Sequence, residues 1–297
     1  MKVSIMREID SRILKKCSEI TGCEVASMDP SGADVQVIYR KFEILPELKM
    51  IQTISAGVDH IDFSSVPKSV LVCSNAGAFA DPVAEHAFSL LLSVKKRILD
   101  FEDQQKRGIY QKLPVSSLIG KTLGIFGYGG IGKSAARIGK ALQMRTIAYS
   151  RTRAADENLD RFVDSPEIMF SQSDIVLLAM PLNSTTRGVV DSSLLSKFSG
   201  DTIINVARAG VVKRDDMIKY LEENREKMYL TDVWWGEPDV KFPIPSNVIL
   251  TPHVGGINRD LEEAAVYRAC QNVRLYLEGK KVAHVVMREE YGPVKPS

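Results

Sequence analysis

The sequence predicts an α/β protein made of two doubly wound parallel-sheet domains. Short apolar strands alternate with helical segments through residues 1–92, and the alternation resumes after a glycine-rich turn at 127–132. This alternation is typical of parallel sheets, in which each crossover helix packs on a face of the sheet. A chain of 297 residues is also longer than most chains that fold around a single hydrophobic core, which favours two domains.

The elements of the N-terminal part follow from its apolar runs. We expect strands at 3–6, 23–28, 35–39 and 50–54, and helices at 11–20 and near 42–45. The last of these strands runs into a loop of small residues, and ligands of open α/β sheets bind at such carboxyl ends of strands. The backbone N–H groups of Gly57 and Val58 in this loop suit a carboxylate, although a plain strand-to-helix turn explains the same residues equally well.

The middle of the chain begins with an apolar helix, predicted at 83–98. The polar stretch after it, at 100–112, suits a linker or an arm that packs on another subunit. The tail beyond the last helix, roughly twenty residues, is too short for a domain and is expected to pack on an earlier one. Further strands are expected at 122–126, 146–149, 175–179, 202–205, 229–233 and 248–250, and further helices at 131–142 and 259–278.

The glycine-rich turn lies between a predicted strand and a predicted helix. Gly127, Gly129 and Gly132 fit the Gly-x-Gly-x-x-Gly pattern in the setting that gives it meaning. The first glycine permits a tight turn, the second allows the backbone to approach a pyrophosphate, and the third allows close packing of helix on sheet. The start of the helix also offers unpaired N–H groups and the positive end of its dipole. We therefore predict a dinucleotide site, the alternative being a glycine turn without a ligand.

Composition argues against several other classes of protein. Hydrophobic residues make up 44% of the chain and charged residues 26%, as in ordinary soluble proteins. A net charge of +2 is too small to indicate nucleic acid or a membrane as a partner. The N-terminus lacks the apolar core of a signal peptide, and no apolar run approaches the roughly 18 residues of a membrane span, so we expect a cytoplasmic protein. The cysteines at 17, 23, 73 and 270 lack metal-ligand spacing and are expected to be reduced packing residues; no metal site is predicted.

Three ionisable residues follow later strands, beside glycine or proline. They are Arg208, Glu237 and His253, and because parallel strands end at one sheet edge, we expect them around one crevice. Arginine can clamp a substrate carboxylate, and a histidine oriented by a carboxylate can transfer a proton near neutral pH. Each residue alone also has a structural explanation, so the prediction depends on all three together. His86, in an apolar helix, is expected to be a satisfied core residue.

The end of the second strand after the glycine turn indicates the choice of coenzyme. A site for NAD carries Asp or Glu about twenty residues past the glycines, which accepts from the ribose 2′-OH. Ser150 and Arg151 occupy this place, and Arg153 follows. Serine and arginine suit a 2′-phosphate, so NADP is predicted as the preferred cofactor, with mixed use of NAD as the alternative.

Seven motifs, in the same order along the chain, resemble those of the D-isomer-specific 2-hydroxyacid dehydrogenases, in particular the glyoxylate/hydroxypyruvate reductase and phosphoglycerate dehydrogenase branch. The resemblance implies a Rossmann cofactor domain at 94–265, inserted into a flavodoxin-like substrate domain at 1–93 and 266–297. It also implies a homodimer formed through the cofactor domain. The motifs are SAGVDHID (55–62), VAEHAFSLLL (83–92), GKTLGIFGYGGIG (120–132), PLNSTTRGVVD (181–191), NVARAG (205–210), DVWWGEP (232–238) and TPHVGG (251–256).

The resemblance also implies roles for individual residues. Arg208 would bind the substrate's carboxylate and carbonyl, His253 would donate the proton, and Glu237 would partner His253, so these three are the predicted catalytic residues. The Gly57 and Val58 amides would hold the carboxylate. The implied cofactor-binding residues are Gly127, Tyr128, Gly129, Gly130, Ile131, Gly132, Ser150, Arg151, Pro181, Ala207, Asp232 (at the nicotinamide carboxamide), His253 and Gly255.

Two departures and one uncertain feature affect the assignment within the family. Ala209 replaces the glycine that usually follows the catalytic arginine, which could shift that loop, and Glu237 argues against the formate dehydrogenase branch, which has glutamine there. Trp234 and Trp235 either narrow the substrate pocket or fill the core. The predicted substrate is a small 2-oxoacid or D-2-hydroxyacid, such as glyoxylate or hydroxypyruvate. Two alternatives stay open: a nucleotide-sensing interaction protein of the corepressor type, and a dehydrogenase of a different small anion such as phosphite.

Overall fold

The computed structural model describes residues 1–240 and 243–291, which form two compact units. One unit comprises Met1–Phe79 and the chain from Ile257 onward, and the other is Ala80–Gly256. The strands are β1 Lys2–Ile5, β2 Glu24–Ser27, β3 Val35–Ile38, β4 Met50–Thr53, β5 Leu71–Cys73, β6 Thr122–Phe126, β7 Arg145–Tyr149, β8 Arg161–Phe162, β9 Ile175–Leu178, β10 Thr202–Asn205, β11 Met228–Thr231 and β12 Val248–Leu250. The helices are α1 Ser11–Thr21, α2 Ala80–Lys95, α3 Ile98–Lys106, α4 Gly130–Ala141, α5 Pro166–Ser171, α6 Ser192–Leu195, α7 Arg214–Glu223 and α8 Arg259–Leu277.

The first unit is a five-stranded parallel sheet in the order β2-β1-β3-β4-β5. Strands β3 and β4 are buried at every position, because helices cover both faces of a parallel sheet. Helix α1 packs with α8, and both contribute to one apolar cluster with β1, β3 and β4. The order is that of flavodoxin-like sheets, so the predicted fold class is confirmed for this unit.

The chain after α8 returns to the first sheet. Asn272 of α8 donates to the Gln52 side chain (2.7 Å) and accepts from the Ala283 N–H (2.7 Å). Further on, the Arg288 guanidinium donates to the backbone carbonyls of Val66 (2.9 Å) and Val70. The part of the tail that the structure describes, up to residue 291, therefore packs on the N-terminal segment, as predicted; residues 292–297 lie outside the described residues.

The second unit is a seven-stranded parallel sheet in the order β12-β11-β10-β9-β6-β7-β8. The strand order reverses next to β6, which is the topology of a Rossmann sheet and confirms the predicted class. One face carries an apolar cluster that includes α2 and α4, and the other a cluster that includes α5 and α7. Gly139 of α4 would place a Cβ 3.3 Å from Leu123, so the helix lies close to the sheet.

The structure corrects one sequence-based prediction, the helix at 42–45, and adds a helix to the polar stretch at 100–112. Residues 42–45 form no helix, because the Gln36 side chain bonds both backbone groups of Glu43 and holds the segment extended. The polar stretch at 100–112 is largely helical as part of α3, supported by ion pairs Arg97–Asp100, Glu102–Lys106 and Asp103–Arg107 at i,i+3 and i,i+4 spacing.

Five further elements were not predicted. Four of them are two to six residues long, which leaves too few positions for a hydrophobic period to stand out, and the fifth, α7, has ten residues. The elements are β5, β8, α5, α6 and α7.

The predicted domain boundaries lie inside two helices. The boundary at 93/94 falls within α2 and the one at 265/266 within α8, whereas the compact units divide at 79/80 and 256/257, just before these helices. Helix α2 ends before Arg97, whose left-handed backbone (φ 52°) separates it from α3. The assignment of substrate and cofactor roles to the two units stays a prediction.

Candidate active site

The glycine turn after β6 has the shape that a pyrophosphate needs. Gly127 has a φ of 97°, and a Cβ there would lie 2.7 Å from the Met180 backbone nitrogen. A Cβ on Gly132 would lie 2.4 Å from the Gly127 carbonyl oxygen. Gly129, the N-cap of α4, would instead direct a Cβ into open space. Two glycines are thus required for packing, while the third leaves the backbone and the N-terminus of α4 open to an anion.

A cavity of about 360 Å³ adjoins this turn within the second unit. This volume is in the range of small-molecule sites. Three predicted cofactor residues besides the turn, Ser150, Arg151 and Pro181, line it. The full lining is Phe126, Gly127, Tyr128, Gly129, Tyr149, Ser150, Arg151, Thr152, Pro166, Ala179, Met180, Pro181, Thr185, Thr186 and Val189.

The two arginines after β7 have different surroundings. Arg151 lines the cavity. Arg153 does not; its guanidinium pairs with Asp164 (2.9 Å), donates to the Val163 carbonyl (3.0 Å) and lies 6.0 Å from the Phe162 ring centre. Of the two, only Arg151 is placed to contact a ligand in the cavity.

Arg208 follows β10 in a loop fixed by Asn205. The buried Asn205 side chain accepts from the Ala207 N–H (3.0 Å) and donates to the Arg208 carbonyl (3.1 Å). It also donates to the hydroxyl of Tyr229 (2.9 Å). Ala209 begins a 3-10 turn without a positive φ, so a side chain in place of the usual glycine is accommodated without strain.

Glu237 and His253 form a hydrogen-bonded pair. Nδ1 of His253 lies 2.8 Å from one carboxylate oxygen of Glu237, and the other oxygen accepts from the Trp234 N–H (2.8 Å). Burial raises the pKa of Glu237, but the hydrogen bonds from His253 and Trp234 and the charges of His253 and Arg208 outweigh it, so the pKa lies below its ordinary value. Glu237 is therefore an acceptor, and His253 carries its proton on Nδ1 toward it.

Asp232 lies beneath the loop that carries His253. It is 4% exposed, and one oxygen accepts from the Thr251 hydroxyl (2.6 Å) and the Val254 N–H (2.9 Å). Its other oxygen accepts from the Gly255 N–H (2.7 Å). A Cβ on Gly255 would lie 2.9 Å from that oxygen, so this close approach requires glycine. Asp232 thus organises the loop, a role that the sequence did not indicate.

Trp234 lies in the core of the second unit, and the partly buried Trp235 packs against that core. Trp234 is 2% exposed, and its ring centre lies 4.9 Å from that of Trp235. Trp235 stacks on Tyr229 and donates to the Val212 carbonyl (3.1 Å). Of the two interpretations left open by the sequence, core packing describes the positions of both indoles.

Gly57 and Val58 belong to the first unit, in the loop that follows β4. Val58 is 2% exposed and its carbonyl accepts from the Ile61 N–H (3.0 Å), which closes a tight turn. The Ser55 carbonyl accepts from the Asn75 N–H (3.1 Å), which joins this loop to the one after β5. The loop is thus a defined turn at the carboxyl edge of its sheet.

A survey of the described ranges, 1–240 and 243–291, finds neither a metal-type cluster nor a membrane-type helix. No three His, Cys, Asp or Glu side chains there come together as metal ligands, and no helix is both long and apolar enough to cross a bilayer.

Comparison with known proteins agrees with this geometry. Residues 88–255 match the sequence pattern described as D-isomer specific 2-hydroxyacid dehydrogenase, NAD binding domain. A glyoxylate reductase of Thermococcus litoralis is 31% identical over 264 residues, covering 83% of this chain and 79% of the relative. The chain belongs to the D-isomer-specific 2-hydroxyacid dehydrogenase family. It is therefore an oxidoreductase of 2-hydroxyacids with a nicotinamide-dinucleotide domain.

Two solved structures share the fold over nearly the whole chain. A glycerate dehydrogenase related protein from Thermoplasma acidophilum is 43% identical, with a TM-score of 0.71 over 93% of this chain and 100% of its own. A protein from Pyrobaculum aerophilum, labelled a candidate formate dehydrogenase, is 30% identical, with a TM-score of 0.88 over 98% of this chain and 100% of its own. The predicted membership of the dehydrogenase family and the predicted fold are thus confirmed.

Several site residues were not identified from the sequence. Thr152, Thr185, Thr186 and Val189 line the cavity, and Thr251 bonds to Asp232. These residues could have been suspected from their positions after parallel strands, since those strand ends share one edge of the sheet. Position in the sequence does not show, however, which side chains turn toward the cavity.

Proposed function

We propose that this dehydrogenase reduces small 2-oxoacids such as glyoxylate or hydroxypyruvate, and that the reverse reaction oxidises D-2-hydroxyacids. The observation that carries the proposal is the Glu237–His253 pair, held by loops of the same unit that contains the glycine cradle. In a dehydrogenase, a histidine oriented by a carboxylate can supply the proton that accompanies hydride transfer from the dinucleotide.

The residues of the chain have distinct proposed tasks. The nicotinamide, when bound, supplies the hydride to the 2-oxo carbon. Arg208 binds the substrate carboxylate and the carbonyl oxygen, and its charge stabilises the alkoxide that develops. The amides of Gly57 and Val58 hold the carboxylate. Asp232 and the glycine turn, with the other predicted cofactor residues, hold the dinucleotide.

His253 is the proposed proton donor. Nδ1 is occupied by Glu237, so Nε2 is the nitrogen that can give its proton to the substrate oxygen. Glu237 fixes the ring orientation and stabilises the imidazolium before transfer. In the oxidation direction the same nitrogen accepts the proton.

NADPH is the proposed preferred cofactor. Ser150, Arg151 and Thr152 line the cavity, and its lining, drawn from the described residues, contains no Asp or Glu. A hydroxyl and a guanidinium favour a 2′-phosphate, whereas the carboxylate of an NAD site would repel it.

Cofactor oxidation with glyoxylate, hydroxypyruvate and larger 2-oxoacids tests both parts of the proposal. We expect turnover of the small acids and a kcat/KM for NADPH about tenfold or more above that for NADH, about 1.4 kcal/mol. Ser150→Asp should reduce or reverse this preference. An NADH value equal to or above that for NADPH would contradict the cofactor choice, and no turnover of any 2-oxoacid would contradict the reaction.

We further propose a cytoplasmic homodimer formed through the second unit. No residue of helix α3 is fully buried by the part of the chain that the structure describes. Ile98 and Leu99 at its start and Tyr110 after its end are 54%, 54% and 83% exposed. Exposed apolar surface of this kind is typical of subunit interfaces. The four free thiols, three of them buried, suit a reducing compartment.

A further inference from the structure

We propose that His86 positions the loop that carries His253, acting through Thr251 and Asp232. The inference rests on the proposed function, because it assigns His86 a task relative to the proposed proton donor. His86 lies on α2, with its side chain 21% exposed, and its Nε2 is 2.8 Å from the Thr251 hydroxyl oxygen. The imidazole is thus hydrogen-bonded, as predicted for a satisfied core residue, but the sequence did not indicate that its partner belongs to the loop of His253.

The direction of each hydrogen bond in this cluster follows from chemistry. Asp232 accepts bonds from backbone N–H groups at both oxygens, so it acts as the acceptor and Thr251 donates its only hydroxyl proton to it. The Thr251 oxygen can then only accept from His86, which fixes a hydrogen on Nε2. The hydrogen bonds thus run from His86 to Thr251 and from Thr251 to Asp232, and Nε2 of His86 also lies 3.4 Å from a carboxylate oxygen of Asp232.

The hydrogen bonds that Asp232 accepts also fix the backbone around His253. His253 has a φ of 56°, a left-handed conformation that is unfavourable for a residue with a side chain. The next two amides, Val254 and Gly255, both donate to Asp232, and the His253 N–H bonds the Thr251 carbonyl (3.0 Å). The histidine thus holds its strained backbone because Thr251 and Asp232 fix the residues on either side.

His86 also contacts the loop by packing. A Cβ on Gly255 would lie 3.3 Å from Cδ2 and 3.4 Å from Cβ of His86, so the imidazole forms one wall of the space that this glycine occupies. The hydrogen bond and the packing contact act on opposite ends of the loop, residues 251 and 255. Together, the hydrogen bond and the packing contact fix the position of His253 between these two residues.

The test compares two substitutions of His86 with a control on the same helix. His86→Leu keeps bulk but loses the donor, whereas His86→Gln keeps an amide donor near the position of Nε2. Ser93→Ala is the control, because the Ser93 hydroxyl bonds only locally to the Leu90 carbonyl (2.8 Å). Each variant is assayed for kcat and KM with glyoxylate and NADPH, and for hydrogen exchange of the peptide that contains residues 251–256.

We expect His86→Leu to lower kcat about 10- to 100-fold, because small misplacements of a reacting group have effects of this size. Its KM for glyoxylate should change by less than about threefold, and exchange at Val254 and Gly255 should accelerate. His86→Gln should recover most of kcat and of the protection, and Ser93→Ala should match wild type.

Two results would overturn the assignment. Equal kcat and equal exchange in His86→Leu and wild type would show that the loop does not depend on His86. Equal loss in His86→Leu and His86→Gln would show that ring packing, rather than donation to Thr251, is what counts. If wild type reduces no 2-oxoacid, the proposed function fails, while the exchange rates still decide whether His86 orders the loop.

Discussion

At the scale of single residues, the hydrogen bond between Glu237 and His253 determines how the imidazole is oriented. Glu237 divides its two carboxylate oxygens between the Trp234 N–H and Nδ1 of His253, so the carboxylate is fixed before it orients the ring. The hydrogen bonds that lower the pKa of Glu237 keep it ionised throughout the neutral range. A fixed negative charge beside the imidazole is what a proton donor needs near neutral pH.

Glu237→Gln tests this charge. Glutamine can keep the bond to the Trp234 N–H but offers no negative charge to the imidazolium. We expect the rate of 2-oxoacid reduction at pH 7 to fall about 10- to 100-fold. The deficit should narrow toward pH 5, where solvent protons replace the missing electrostatic support. A pH profile of kcat that is the same in wild type and variant would contradict the role of Glu237.

The roles predicted for individual site residues stay predictions, but some of the local geometry follows from sequence. Gly127 and Gly132 pack closely and Glu237 bonds to His253, and motifs of this kind encode such local geometry. The hydrogen bonds through Thr251 join residues far apart in the chain, and nothing local reveals them. Contacts of this kind require the fold.

The junction between β6 and β9 shows how a carboxylate holds an element in place. Asp174, just before β9, accepts from the Thr122 N–H (2.8 Å) and the Lys121 ammonium (3.0 Å) at the start of β6. Burial raises the pKa of Asp174, but these two bonds and the charges of Lys121 and Arg145 outweigh it and lower the pKa. Because the folded pKa lies below the unfolded value, the stabilisation is complete above the unfolded value and is lost as pH falls through the folded one.

Asp174→Asn tests that stabilisation. We expect it to lower the free energy of unfolding by about 1 kcal/mol at pH 7, the size of a net hydrogen bond. The difference in unfolding free energy between wild type and variant should shrink below about pH 4, because protonation then removes the charge of the wild-type carboxylate. Urea unfolding from pH 3 to pH 8 measures both effects. A difference that is constant over this range would show that charge is not involved.

Buried strands and the longest helices could be predicted from sequence, whereas several other elements could not. Strands β3, β6 and β10 are rich in apolar residues and buried at every position, and α8 is followed by Gly279 with a φ of 66°, so their patterns agree with their structure. The helix predicted at 42–45 is absent because the side chain of Gln36, seven residues earlier in the chain, bonds both backbone groups of Glu43. Tertiary bonds can therefore override local preference.

At the scale of the whole molecule, the exposed apolar residues around α3 are the basis of the proposed homodimer. We expect a solution mass twice the 32.9 kDa of one chain in light scattering after gel filtration. Leu99→Glu combined with Tyr110→Glu should shift the protein toward the monomer, because burying charges without partners is costly. Met287→Glu, which alters a residue 61% exposed in the other unit, is the matched control. A monomeric wild type, or a dimer unaffected by the double substitution, would contradict this interface.

The central claim, that the loops of the second unit form a site for reduction of 2-oxoacids, is tested most directly at Arg208. Arg153→Gln is the matched control, because Arg153 pairs with Asp164 outside the cavity lining. The measurement is kcat/KM for glyoxylate with NADPH in wild type and both variants. We expect Arg208→Gln to lower it about 100- to 1000-fold and Arg153→Gln to leave it nearly unchanged. Wild-type turnover that survives Arg208→Gln intact, or no wild-type turnover at all, would contradict the claim.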